Sequence, residues 1–289
     1  MTSGPWAFRL HLAAWVLVVA VGALYLLLVR DSRDGVGARV PPNRRQWWQL
    51  AGALVSLAVA LTWPVADIAA HWSLTALLVQ RLLLILVTAP LLLLATPTPV
   101  LGRLTRPWPI DVVVDFLSRV PVAIVVFTVI VVGTLSAPAV AAQASSGLWR
   151  GVFDGLLLFA GVVLWVPALG RVPGARRASP VAVAVYLVVQ SVLPNFPAIV
   201  FVFSRHPLYQ AFAHAHRAIG LSALNDQQVA GIVAKVATLP VLWWAAWRAL
   251  SRAERAERTG HDEEPLTWAD VERALERTER DQKRSSQAT

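Results

Sequence analysis

Apolar residues run almost unbroken for about 20 positions at a time along most of the chain, whereas an amphipathic helix of a soluble protein would alternate polar and apolar faces. A helix needs about 20 such residues to cross the hydrocarbon core of a bilayer. Runs of that kind fall at 6–29, 49–66, 73–95, 120–142, 152–169, 180–203 and 229–246. They predict an all-α, polytopic membrane helix bundle with about seven transmembrane helices. The first run opens with Trp6, Arg9 and His11 and reaches Arg30 without a small-residue cleavage site, so it reads as a retained span, not a signal peptide. Pro64, Pro90, Pro97, Pro167, Pro194, Pro197 and Gly161 mark kinks and close helix contacts inside or beside the runs.

Charge then orients the bundle. Arg30, Arg33, Arg39, Arg44 and Arg45 lie in the first loop, Arg103, Arg106 and Arg119 in the third, and Arg171, Arg176 and Arg177 in the fifth. Arg248, Arg252, Arg255 and Arg258 follow the last run. The other side has only Arg9, Arg150, Arg205 and Arg217. Basic residues near span ends stay in the cytoplasm, so an odd number of spans puts the N-terminus out and the C-terminus in. Localisation in a bacterial plasma membrane, as a multi-pass protein, follows as the expectation.

The overall charge of +9 invites a nucleic-acid partner. Divided after Leu250, however, it separates into +11 for residues 1–250, the transmembrane domain, and −2 for residues 251–289, a charged cytoplasmic tail. The positive charge belongs to short loops, where it serves topology and contact with membrane lipids; no nucleic-acid partner is expected. In the tail, Thr267 and Asp270 have the spacing of a capping box, and Trp268, Val271 and Leu275 recur at helical spacing. A short amphipathic helix, solvated near the lipid surface, is the expectation there.

Few residues could carry chemistry. There is no cysteine, and the one methionine is the initiator, so any metal must take nitrogen or oxygen ligands. Polar groups at membrane depth are costly and rare. Here they are Arg81 in the third run, Asp154 in the fifth and Lys235 in the seventh. Two readings stand: Arg81 pairs with Asp154 or snorkels to the interface, or the three line a path for an ion or small solute. His11, His71, His206, His214 and His216 crowd the outer side. On a helix from Pro207 to Gly220, His206 and His214 would be about 12 Å apart, too far to share an ion. A metal site would therefore draw on His71, beside Asp67, together with His214 and His216. Asp226 is read as the cap of the last span. No nucleophile and base constellation or phosphate loop is present, so no enzyme is expected.

Several strings taken together resemble the polytopic CtaG family of cytochrome c oxidase assembly factors. They are Trp63-Pro64, Leu78-Val79-Gln80-Arg81, Ala89-Pro90 with Pro97, Phe159 to Pro167 containing Gly161 and Trp165, Phe203-Ser204 with Pro207-Leu208-Tyr209, and Gly220 to Ser222 leading to Asp226-Gln227-Gln228-Val229-Ala230-Gly231. The resemblance implies a seven-helix protein that serves oxidase assembly, with cytochrome c oxidase subunits as partners and copper as the metal provided. Members of the family typically show His-x-x-Gln-His in the third span, two imidazoles one turn apart. Here Leu77 and Arg81 stand at those positions and only Gln80 matches, while Asp154-Gly155 takes the place of a Glu-His pair. A guanidinium cannot act as a ligand. The chain is thus expected to keep the scaffold, with an Arg81 to Asp154 ion pair replacing a metal crosslink. A small-solute or ion transporter, or a structural membrane subunit without metal, are the alternatives.

Overall fold

The computed structural model describes residues 11–30, 41–213, 220–258, 272–273 and 275–277. Every regular element among them is helical. Six helical runs are long and apolar enough to cross a membrane, and one further pair of helices, bent by 88°, passes the same test only when the two are taken together, for six to seven candidate spans. The chain forms α1 (Leu12–Arg30), α2 (Arg44–Leu61), α3 (Val65–His71), α4 (Leu74–Leu82), a π-helical segment (Leu83–Thr88), α5 (Ala89–Ala95), α6 (Thr98–Thr105) and α7 (Trp108–Leu117). There follow α8 (Val120–Gly133), α9 (Ala137–Ser145), α10 (Gly147–Leu169), α11 (Pro180–Val192), a 3-10 turn (Leu193–Asn195), α12 (Phe196–Phe203), α13 (Gln210–Ala213) and α14 (Ala223–Arg258).

Prolines decide where these helices depart from regularity. In the third span the Ala89 N–H reaches back to Leu84 O, five residues away. In that register the next acceptor is Ile85 O, and its donor would be residue 90, a proline with no N–H. The orphaned carbonyl is taken by Trp165 of α10, whose Nε1 donates to it at 2.9 Å. One turn earlier on α10, Gly161 lets the helices approach. A Cβ there would come within 2.7 Å of Ala89 Cβ and 3.1 Å of Ile85 Cα. Pro90, Gly161 and Trp165 therefore serve one contact. Pro167 orphans Val163 O in the same way, and the buried Tyr186 hydroxyl of α11 lies 3.5 Å from it and 3.0 Å from Leu164 O.

The fourth run, expected as one helix over 120–142, is broken. The 14 residues of α8 rise about 21 Å, short of the roughly 30 Å core. Pro138 has no N–H to offer Thr134 O, so the chain turns through Thr134 to Ser136 before α9. At its other end α8 meets α7 at 88°. The sixth run changes from α-helix to a 3-10 turn at Leu193–Asn195, beside Pro194 and Pro197, before α12 resumes. The last helix is longer than the 229–246 span and passes straight through residue 250, where the domain boundary was expected.

The main core gathers the π segment with α2, α5, α8, α10, α11 and α14, and a second cluster around Leu74, Phe201, Tyr209 and Ala230 closes the opposite end. The first helix is peripheral. Only Val18 and Tyr25 of α1 are buried, with the Tyr25 hydroxyl donating to Ala95 O at 2.9 Å. Its remaining apolar surface is free to face lipid.

Arginines collect at one end of the bundle, where Arg171 donates to Leu94 O at 2.9 Å and lies close to Arg45. Two arginines of the tail reach this end. Arg273 donates to Gly102 O at 3.0 Å, and Arg277 reaches both oxygens of Asp111 at 3.1 and 3.2 Å and Gly174 O at 3.2 Å. The Thr267 and Asp270 capping box lies outside the described residues.

Candidate functional site

At the end of the bundle away from the arginine-rich loops, polar side chains form a seam across six helices. Its centre is Arg81 on α4, 4% exposed. Nη1 donates to Thr134 Oγ1 at 2.9 Å, and Nη2 to Thr134 O at 2.8 Å and Gln143 Oε1 at 3.1 Å. The guanidinium thus occupies the break between α8 and α9 and satisfies the carbonyl that Pro138 leaves open. Tyr209 completes the repair by donating to Leu135 O at 2.6 Å.

The expected Arg81 to Asp154 ion pair is not formed. Asp154, half-buried on α10, receives Gln80 Nε2 at 3.2 and 3.3 Å instead. The two charges attract at longer range. Each is held by hydrogen bonds from or to neutral groups, which offset part of the cost of its burial. Gln80 and Arg81 are adjacent on α4, so one helical turn serves both the break and α10.

Asp226 caps a helix, but not its own. It sits in the fourth position of α14 and accepts from Ser73 Oγ at 2.7 Å and Leu74 N at 2.7 Å, while its carbonyl accepts from Thr75 Oγ1 at 2.9 Å. A carboxylate at the N-terminus of α4 answers both the free N–H groups and the dipole there. On the next position, Gln227 accepts from Leu208 N at 2.8 Å and donates to Phe201 O at 3.4 Å. Gly231, one turn on, permits that contact, since a Cβ would stand 2.6 Å from Ala198 O.

The remaining sequence candidates are dispersed. Lys235 is exposed on the flank of α14 and does not join Arg81 and Asp154, so the three line no common path. His71 ends α3 on an exposed position, and Asp67, four residues before it, is bonded to His11 Nε2 at 2.9 Å. His214 and His216 lie outside the described residues, in the stretch 214–219 of the Pro207 to Gly220 segment. Among the described residues no three His, Cys, Asp or Glu side chains converge on a metal position. Copper, which the resemblance implies, does not fit the third-span positions: Leu77 is apolar and Arg81 is a committed cation.

Thr134, Gln143 and Tyr186 carry more of this architecture than their isolated places in apolar runs announced. Pro138, four residues after Thr134, is the signal that could have found the break.

The motif residues therefore act as fasteners. Gln80, Trp165, Tyr209, Asp226 and Gln227 each bond a distant segment, Pro90 opens the π segment, and Gly161 and Gly231 let helices touch. Comparison of the chain with protein-family models gives a match to cytochrome c oxidase caa3 assembly factor over residues 23–255. Searches among curated proteins and among solved structures give no match. The matched span takes in every one of these fasteners, and the chain belongs to the cytochrome c oxidase caa3 assembly factor family.

Proposed function

We propose that the protein is a non-enzymatic accessory factor that assists assembly of a terminal cytochrome c oxidase in a bacterial plasma membrane, with its N-terminus outside and its tail in the cytoplasm. The observation that carries this reading is the family match over residues 23–255. The orientation rests on the arginine asymmetry of the loops. Contact with oxidase subunits follows from the assembly role, and the exposed apolar helix faces supply surface for it.

Copper provision is the finer part of the proposal. With Arg81 at the third-span position, copper would be carried as cargo by imidazoles at the outer end, from His71, His214 and His216. The Asp67 to His11 contact supports a role for that end, because it ties α1 beside His71.

The test is terminal oxidase activity and oxidase copper content in host membranes with and without the gene, at limiting and excess copper. Loss of activity restored by copper supports provision. Loss of activity not restored by copper keeps the assembly role and removes the metal from it. Unchanged activity and copper content overturn the assembly role.

A further inference from the structure

Three interruptions of regular backbone meet at one cavity of about 60 Å³ inside the bundle. The π segment contributes Ile85, the α8 to α9 break Leu135, and the 3-10 turn Asn195. Irregular backbone at membrane depth is tolerated where it is packed in protein or lines water. Most of the wall is apolar, but Arg81 and Gln190 both line it. Each is at least nine-tenths buried and has one polar atom without a protein partner: Arg81 Nε, a donor, and Gln190 Oε1, an acceptor.

We propose that this cavity is a binding site for a cluster of about four water molecules, by volume, that hydrates Arg81 Nε and Gln190 Oε1. The chemistry selects the occupant. One unpaired donor and one unpaired acceptor need a species that both accepts and donates. An anion would serve Nε and face the Gln190 oxygen with a second negative group, since the amide nitrogen of Gln190 already donates to Ala123 O and the Tyr186 hydroxyl, both at 3.4 Å. A lipid chain would leave both atoms unsatisfied, at the cost of a buried polar group in each case. An organic ligand is too large, as such pockets are typically about 300 Å³ or more. Water fits the volume and both atoms, and it hydrates the one guanidinium edge that the helix break does not reach. The proposal is independent of copper and of the oxidase.

Radiolytic hydroxyl-radical footprinting tests it on the full chain in lipid nanodiscs, because bound water is the radical source for side chains that bulk solvent does not touch. Phe127 and Phe201 line the cavity and are 4% and 2% exposed; Trp165, 5% exposed, does not line it and carries the more reactive ring. The expected result is labelling of the two phenylalanines several-fold above Trp165, with Gln190→Leu reducing the excess by at least half. Labelling at or below the Trp165 level overturns the proposal, as does an excess that Gln190→Leu leaves untouched. If Gln190→Leu does not fold, a high-resolution map of the unaltered protein decides. Water peaks within hydrogen-bond reach of Arg81 Nε support the site, and a bromide peak there after soaking, or continuous acyl density, overturns it.

Discussion

Arg81 and Arg277 each tie together segments far apart in the chain, but they do so under opposite conditions. Arg81 is buried among helices and bonds neutral oxygens of Thr134 and Gln143. Arg277 is 38% exposed at the arginine-rich end and bonds the carboxylates of Asp111 and Asp115. Where water is excluded, a broken carbonyl has no substitute partner, so the residue that reaches it is fixed in kind and place. Where water competes, charges are interchangeable and each pair contributes little. The first end is therefore written in a specific motif, and the second in a general excess of charge.

The sharpest break of this contrast is Arg81→Ala. It leaves Thr134 Oγ1 and Gln143 Oε1 without their donor and opens a cavity, which together destabilise by about 3 kcal/mol. Reversible unfolding in mixed detergent micelles would read the loss, and Arg81→Lys should recover part of it through a single donor. An unchanged midpoint for Arg81→Ala would mean that the α8 to α9 break is held by packing alone.

Next in size is Gly161→Ala. The new methyl meets Ala89 Cβ and Ile85 backbone, and overpacking of a helix contact costs about 2 kcal/mol. Trp165→Phe is expected to cost about 1 kcal/mol, the net worth of its bond to Ile85 O. The two substitutions act on one contact, so their effects in the double variant should fall short of additive. Strict additivity, measured by the same unfolding assay, would separate the glycine from the indole and dissolve the shared role given to them.

How far this was legible in the sequence differs by level. The apolar runs located the spans, because a bilayer demands about 20 residues whatever the packing. The motif strings located the fasteners, but not what they fasten. Asp226 and Ser73 are 153 positions apart, and nothing local distinguishes an aspartate that caps its own helix from one that caps a neighbour. Arg81 was paired with Asp154 on charge alone, whereas its guanidinium is taken up by the Thr134 carbonyl that Pro138 leaves open, with Thr134 Oγ1 and Gln143 Oε1. Thr134 was lost in an apolar run because the break belongs to Pro138, and a proline in a membrane helix signals only that some carbonyl needs a partner.

The smallest expected effect probes the exposed end. Arg277→Ala should cost under about 1 kcal/mol at low salt and less as salt rises, since partly exposed pairs are screened. Tail docking should also depend on pH. Burial raises the Asp115 pKa, but hydrogen bonds from Arg119 and Arg176 and the charges of Arg176 and Arg277 outweigh it and hold the carboxyl below its ordinary value. Only the Arg277 share is linked to docking, since Arg119 and Arg176 stay on Asp115 when the tail leaves, and that share is fully present while the carboxyl is ionised. That contribution fades as pH falls through the depressed value. Distance between spin labels on the tail and on α6 would therefore stay constant from neutral pH to about 5 and lengthen only in stronger acid. The charge exchange Asp111→Arg with Arg277→Asp should restore docking that Asp111→Arg alone abolishes. Restoration would establish that this end reads charge without regard to which partner bears it; failure to restore would mean that the Gly174 carbonyl and the shape of the Asp111 pocket make it as specific as the seam around Arg81.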